Sequence, residues 1–280
     1  MLGKLLKHEF RATGKLLGPL NLFLILVAII GNIVLHFGYK TADPQNALMI
    51  ISNTAFSGLS IFIIAIYSLT IFTLIILTAV YLTVRFYKTM YGNQGYLTHT
   101  LPVSTTTVLN VKLLAAVFWM LVAFAIAILS LFILSCSENP FDSITLSRLR
   151  DETLAQTGFH LEVLLLIIAV LIITVCASLV LMVCASLAIG QLFNQFRISA
   201  AIGAYVVFYI IQQVISLLSL GSLGIAQINA LQQASGQLSV MPDSSFFHWL
   251  FCLIIIEEIA YAVIYYLICY FITKKKLNLE

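Results

Sequence analysis

The chain has 280 residues, 61% of them hydrophobic and 9% charged. A soluble domain carries roughly 25% charged residues, so an apolar excess gathered into stretches of 20 or more excludes most soluble folds and points to lipid as the solvent. Fourteen basic residues against eleven acidic ones leave a formal net charge of +3, too even a balance for a surface that binds nucleic acid.

Six apolar segments, near 18–38, 58–84, 113–136, 162–189, 198–221 and 247–272, are long enough to cross about 30 Å of hydrocarbon at about 1.5 Å per residue. The expectation is an all-α polytopic membrane protein with six transmembrane helices, forming a single transmembrane domain over 1–280. Ahead of the first span, Leu2, Leu5, Leu6, Phe10 and Leu17 recur at helical spacing while Lys4, Lys7, Arg11 and Lys15 point largely elsewhere. That pattern predicts an interfacial helix over 1–17, with a plain basic flank as the alternative. The spread of these charges does not fit a cleavable signal peptide.

With the amino terminus in the cytoplasm, Lys4, Lys7, Arg11, Lys15, Arg85, Lys88, Lys112, Arg197, Lys274, Lys275 and Lys276 all lie inside, and Lys40, Arg148 and Arg150 lie outside. The bias of basic residues toward cytoplasmic loops then predicts that both termini are cytoplasmic.

The second and third spans are joined by a cytoplasmic connection over 85–112, RFYKTMYGNQGYLTHTLPVSTTTVLNVK. Gly92, Asn93 and Gly95 suit a tight turn, Pro102 interrupts the chain, and Ser104 or a following threonine suits a helix cap. Phe86, Tyr87, Tyr91, Tyr96, Leu97 and Leu101 offer more apolar surface than a connector needs, which favours docking to a partner over a bare connection. His99 has no acid or nucleophile at a recognisable spacing, so it reads as part of that surface or as a structural hydrogen-bonding residue.

In the last span, Glu257 and Glu258 lie near mid-depth, with Tyr261 a turn further on. Ionisable groups at that depth are expensive unless hydrated, neutralised or hydrogen-bonded. They read either as a transport pathway or as a network that ties helices together. Gln212 and Gln213, midway along the fifth span, allow the same two readings. Adjacent carboxylates on one helix lack the opposed geometry of acid–base catalysis. The five cysteines lack zinc-site spacing and read as small buried hydrophobes. The outer stretch 137–160 reads as a solvated cap of one or two short helices, and Gly221 and Gly224 are expected to loosen the end of the fifth span, leaving a short element that dips into lipid.

The basic LLKHEFRATGK near the start, the connector GNQGYLTHTLPVS followed by VLNVKLL, and the terminal KKKLNLE resemble the type 2 permease subunits of bacterial ATP-binding-cassette transporters. The six-span layout carries the resemblance along essentially the whole chain, although Gln94 stands where an acidic residue is the usual form. The resemblance implies the membrane-spanning half of an exporter in a bacterial cell membrane, linked to resistance to an antimicrobial peptide or drug. ATP hydrolysis would belong to a separate cytoplasmic ATP-binding-cassette subunit, and a second permease chain, identical or related, would complete the pathway. Tyr91, Gly95, Tyr96, Leu97, His99, Leu101 and Pro102 would couple the chain to that ATPase. The chain has no GxxxxGK[ST] phosphate loop of its own, and neither a cofactor, a metal nor catalytic residues are expected. The competing reading is a non-transporting structural or sensory membrane subunit that binds a cytoplasmic partner.

Overall fold

The computed structural model describes residues 2–40, 47–92, 95, 104–135, 143–193, 195–235 and 244–275. They form seven helices and no strand: α1 (Leu2–Lys40), α2 (Ala47–Met90), α3 (Thr105–Ser135), α4 (Ser143–Thr157), α5 (Leu161–Gly190), α6 (Arg197–Ser235) and α7 (Ser244–Lys275). All except α4 are long and apolar enough to cross a membrane. In lipid no water is available to satisfy the backbone, so a long apolar run keeps its hydrogen bonds within itself as helix. Large apolar side chains such as Phe62, Phe72, Leu217 and Leu218 are exposed, as expected of helices whose outer faces meet lipid.

The helices run beyond the segments expected from hydropathy. Residues 2–17 are helical, but they belong to the same helix as the first span, which continues through Pro19. Gly221 and Gly224 do not end α6, which continues to Ser235. A glycine costs a helix about 1 kcal/mol, less than the several kcal/mol of exposing an unpaired backbone group to hydrocarbon. The expected lipid-dipping element is therefore helix up to Ser235, and 236–243 lie outside the described residues. Cys176, Cys184 and Cys269 are buried as expected, Cys252 is exposed, and Cys136 lies outside the described residues.

The chain forms two compact units. The first comprises residues 1–82 and 118–142. Its core joins Leu24, Leu74 and Ala127, flanked by Leu20, Ile71 and Ile126. The Phe10 ring meets the edge of Phe118 at 4.7 Å, and Thr13 and Leu17 are buried, so part of the apolar stripe expected to lie in lipid packs on protein. Within this core Tyr67 donates to Ser130 at 2.6 Å, and the Asn32 amide donates to the Ile133 carbonyl at 2.6 Å.

The second unit comprises residues 83–117 and 143–280. Here α5 packs on both α6 and α7, around a cluster of Met182, Ala185, Tyr261 and Tyr265. Gly190 lets α5 and α6 meet closely: a Cβ there would lie 2.6 Å from both the Ala201 Cβ and the Arg197 carbonyl oxygen. Of the expected cap, 137–142 lie outside the described residues, and residues 143–157 form the helix α4. Gly158, with φ 73°, ends it by donating its N–H to the Leu154 carbonyl at 3.0 Å, a left-handed cap that favours glycine. Arg150 pairs with Glu162, and Phe159 stacks on His248 at 3.9 Å, which fixes the α4–α5 turn against the start of α7.

Candidate functional site

The second unit places polar groups from three spans at one depth. Glu257 and Glu258 on α7 lie in the span Phe246–Lys274, Ser178 on α5 in Leu161–Gly190, and Gln212 and Ser216 on α6 in Arg197–Ile228, each well inside its span. Ser178 donates to Glu258 Oε2 and Gln212 Nε2 donates to Glu258 Oε1 at 3.4 Å. Glu258 is thereby held between α5 and α6. Ser216 Oγ donates to Glu257 Oε2 at 3.2 Å. Gln212 and Ser216 are four apart on α6 and so sit one above the other, which lets a single helix face receive two adjacent carboxylates whose directions differ by about 100°.

These donors are neutral. Neither carboxylate forms an ion pair with a described residue, and both are only partly buried. The Tyr261 ring packs in the core cluster, and its buried hydroxyl lies beside Ser216. Tyr265 stacks on Tyr261 with ring centroids 6.3 Å apart, and Phe208 packs on Tyr265 at 5.1 Å. One wall of the site is therefore aromatic.

Of the residues expected here, Glu257, Glu258, Tyr261 and Gln212 come together. Gln213 does not: it is exposed on another face of α6. Ser178 and Ser216 complete the site and were not singled out from sequence. The four-residue spacing of Gln212 and Ser216 in an apolar span is the signal that would have found Ser216; Ser178 has no comparable mark.

The connector is described only at its ends. The chain turns where expected, with the Gly92 N–H donating to the Tyr87 carbonyl at 3.1 Å and the Gly95 N–H to the Gly92 carbonyl at 2.7 Å. Ser104 occupies the position before α3, and its carbonyl accepts the Val108 N–H at 3.2 Å. Its hydroxyl engages that of Thr107 at 2.6 Å. Tyr96, Leu97, His99, Leu101 and Pro102 lie outside the described residues. Phe86 and Tyr91 do not add to a docking surface, because both are buried within the chain, and Gly95 is buried as well. The Tyr91 hydroxyl instead meets Thr273 Oγ1 of α7 at 3.3 Å. Burial pushes the Tyr91 phenol above its ordinary range. A second tie nearby runs from the Tyr266 hydroxyl of α7 to Asn110 Oδ1 of α3 at 2.9 Å.

The unit also has a groove of about 280 Å³ lined by residues that include Val84, Tyr87, Val183, Leu187, Ile198 and Ile202. Its lining carries no charge, so it offers a polar ligand far less than the carboxylates do. Among the described residues no cluster of three or more His, Cys, Asp or Glu side chains could hold a metal ion. No family model matches the chain, and no similar curated protein or solved structure was found.

Proposed function

We propose that this chain is the membrane-spanning permease subunit of an ATP-driven exporter in a bacterial cell membrane, with both termini cytoplasmic. The observation that carries the reading is the dual attachment of α7. Near one end, Thr273 holds Tyr91 at the entrance to the connector; four turns away, the same helix carries Glu257 and Glu258 into the membrane interior. A pull on the connector therefore has a short mechanical route to the carboxylates, about 22 Å along one helix at about 1.5 Å per residue.

In this mechanism a separate ATP-binding-cassette subunit docks on the 85–112 connection and performs the hydrolysis. Nucleotide-driven closure of that subunit displaces the connector, α7 shifts against α5 and α6, and the bonds from Ser178, Gln212 and Ser216 exchange as the pathway opens to the other side. A second permease chain, identical or related, supplies the opposite wall. An antimicrobial peptide or drug is the preferred cargo. The chain's own residues position and recognise, and no covalent step occurs on them.

One observation favours a second reading. Both oxygens of Glu258 accept hydrogen bonds, as they would in a network that only locks helices together in a non-transporting subunit. Purification of the chain with its associated proteins, followed by ATPase assay in lipid, separates the two. The exporter reading predicts a stable ATPase partner whose hydrolysis falls in Tyr96→Ala or Leu101→Ala. The absence of any ATPase partner, or unchanged assembly and hydrolysis in both variants, contradicts it.

A further inference from the structure

We infer that one face of α6, built around Gln213, Leu217 and Gly221, is the surface on which a second copy of this chain docks. The part such a dimer plays in transport rests on the exporter reading; its formation does not.

The composition of α6 is at odds with its surroundings. Among the six spans it is the least apolar and also the least buried, whereas a helix that meets only lipid should be the most apolar of all. Gln212 and Ser216 are accounted for, since they turn toward α7 and hold its carboxylates. Gln213 is not. It lies midway along the span Arg197–Ile228, it is exposed, and its side chain has no hydrogen bond to another described residue. Hydrocarbon cannot satisfy an amide, and the nearer end of the span is about 22 Å away at about 1.5 Å per residue, beyond the reach of a glutamine.

The neighbours of Gln213 form a face. Ile210, Gln213, Leu217, Leu220 and Gly224 recur at alternating spacings of three and four, so they share one arc of about 100° that also takes in Gly221. Ile210, Leu217 and Leu220 are exposed, Leu217 by 71%. A Cβ at Gly221 or Gly224 would meet nothing within 4 Å, so the packing within the chain does not require glycine at either position. Glycine weakens a helix interior, but between two helices in lipid its missing side chain lets the backbones approach closely.

The chemistry of this face selects a second copy. It carries no charge, so a partner of opposite charge finds nothing to hold. A glutamine amide donates through nitrogen and accepts through oxygen. Two copies inserted in the same orientation are related by a two-fold axis along the membrane normal, which sets equal positions at equal depth. Gln213 then meets its own counterpart, and each amide satisfies the other. The three-and-four spacing suits the shallow crossing of two helices packed along their length.

The test uses the full chain in bacterial membranes, with Cys136 and Cys252 replaced by alanine. Leu217→Cys lies in the middle of the face, whereas Ile215→Cys, also exposed, is two residues away on the far side of the helix. Oxidation with copper phenanthroline should link two copies in Leu217→Cys at least about fivefold more than in Ile215→Cys. In liposomes, the dissociation constant read by fluorescence energy transfer between labelled copies should rise about fivefold or more in Gln213→Leu and in Gly221→Ile, and stay near the unaltered value in Gln213→Asn, which keeps the amide. Both positions are open to lipid in the single chain, so these substitutions leave its own packing intact. Equal linkage at the two cysteines, no linkage, or linkage to a different protein overturns the inference, as does an unchanged dissociation constant in Gln213→Leu. A dimer that behaves as expected in a chain with no associated ATP hydrolysis supports the docking face and removes the exporter reading.

Discussion

The Tyr91 hydroxyl and Thr273 Oγ1 meet at 3.3 Å inside the protein, and the pairing ties the end of α2 to the last turns of α7. Phe86 packs edge-on against the Tyr91 ring at 6.0 Å, and Met90 beside it is fully buried. The end of α2 is thus anchored within the protein's core.

This anchor has an alkaline signature. Tyr91 holds its proton more tightly when folded than when unfolded, because burial disfavours the phenolate. The unfolded chain loses this proton first, near pH 10, so the contribution is fully present below that pH and declines above it by about 1.4 kcal/mol per pH unit. Tyr91→Phe loses about 1 kcal/mol of stability near pH 8, through the lost hydrogen bond, and is then less sensitive to pH than the unaltered chain between pH 10 and 11. Thermal unfolding in detergent across that range checks it; two curves that stay parallel contradict it.

The bond from Ser178 to Glu258 joins α5 to α7 directly. A double-mutant cycle with Ser178→Ala and Glu258→Gln should give a coupling of about 0.6–1.7 kcal/mol, the range of polar contacts between membrane helices. Strict additivity in reversible unfolding would mean that the two side chains do not interact.

Two glycines of the α5–α6 pair should respond oppositely to alanine. At Gly190 the new methyl meets a backbone carbonyl and a Cβ, both at 2.6 Å, neither of which can swing away, so Gly190→Ala should destabilise by about 1–3 kcal/mol. Around Gly203 there is nothing within 4 Å, and alanine there should stabilise the helix by up to about 1 kcal/mol. Melting temperatures of the two variants decide the matter, and equal shifts would contradict the close approach at Gly190.

Asn21 in the first unit is buried, and among the described residues neither its amide nitrogen nor its oxygen finds a partner. Asn21→Leu removes that penalty and should raise stability by about 1–3 kcal/mol. A loss of stability on this substitution would show that the amide is satisfied within the protein.

The spans were legible because an uninterrupted apolar run in lipid has little choice but helix, whatever its neighbours do. Glu257 and Glu258 were legible for a related reason: a charge at that depth stands out without any knowledge of packing. Their partners were less so. Serine is common in membrane helices, and only the meeting of α5 with α7 singles out Ser178, whereas Ser216 is marked by its four-residue spacing from Gln212. Sequence also could not choose between Gln212 and Gln213, which point about 100° apart, because the choice depends on how α6 is rotated against α5 and α7. Tyr91 reads from sequence as surface, since an aromatic residue beside glycines in a polar loop looks exposed; in the fold it is buried, with its hydroxyl against a residue 182 positions away.

The central claim is that ATP binding in a partner opens a path past the carboxylates, and accessibility at Ser216 tests it most directly. In the assembled complex, with Cys252 replaced by alanine, Ser216→Cys is exposed to a membrane-impermeant maleimide from each side, without nucleotide and after trapping with ATP and vanadate. The account predicts labelling from the side of the termini in the nucleotide-free state and a shift to the opposite side on trapping, with each rate changing by about tenfold or more, equivalent to about 1.4 kcal/mol. Labelling that is independent of nucleotide, or a cysteine reached from neither side in either state, would contradict it.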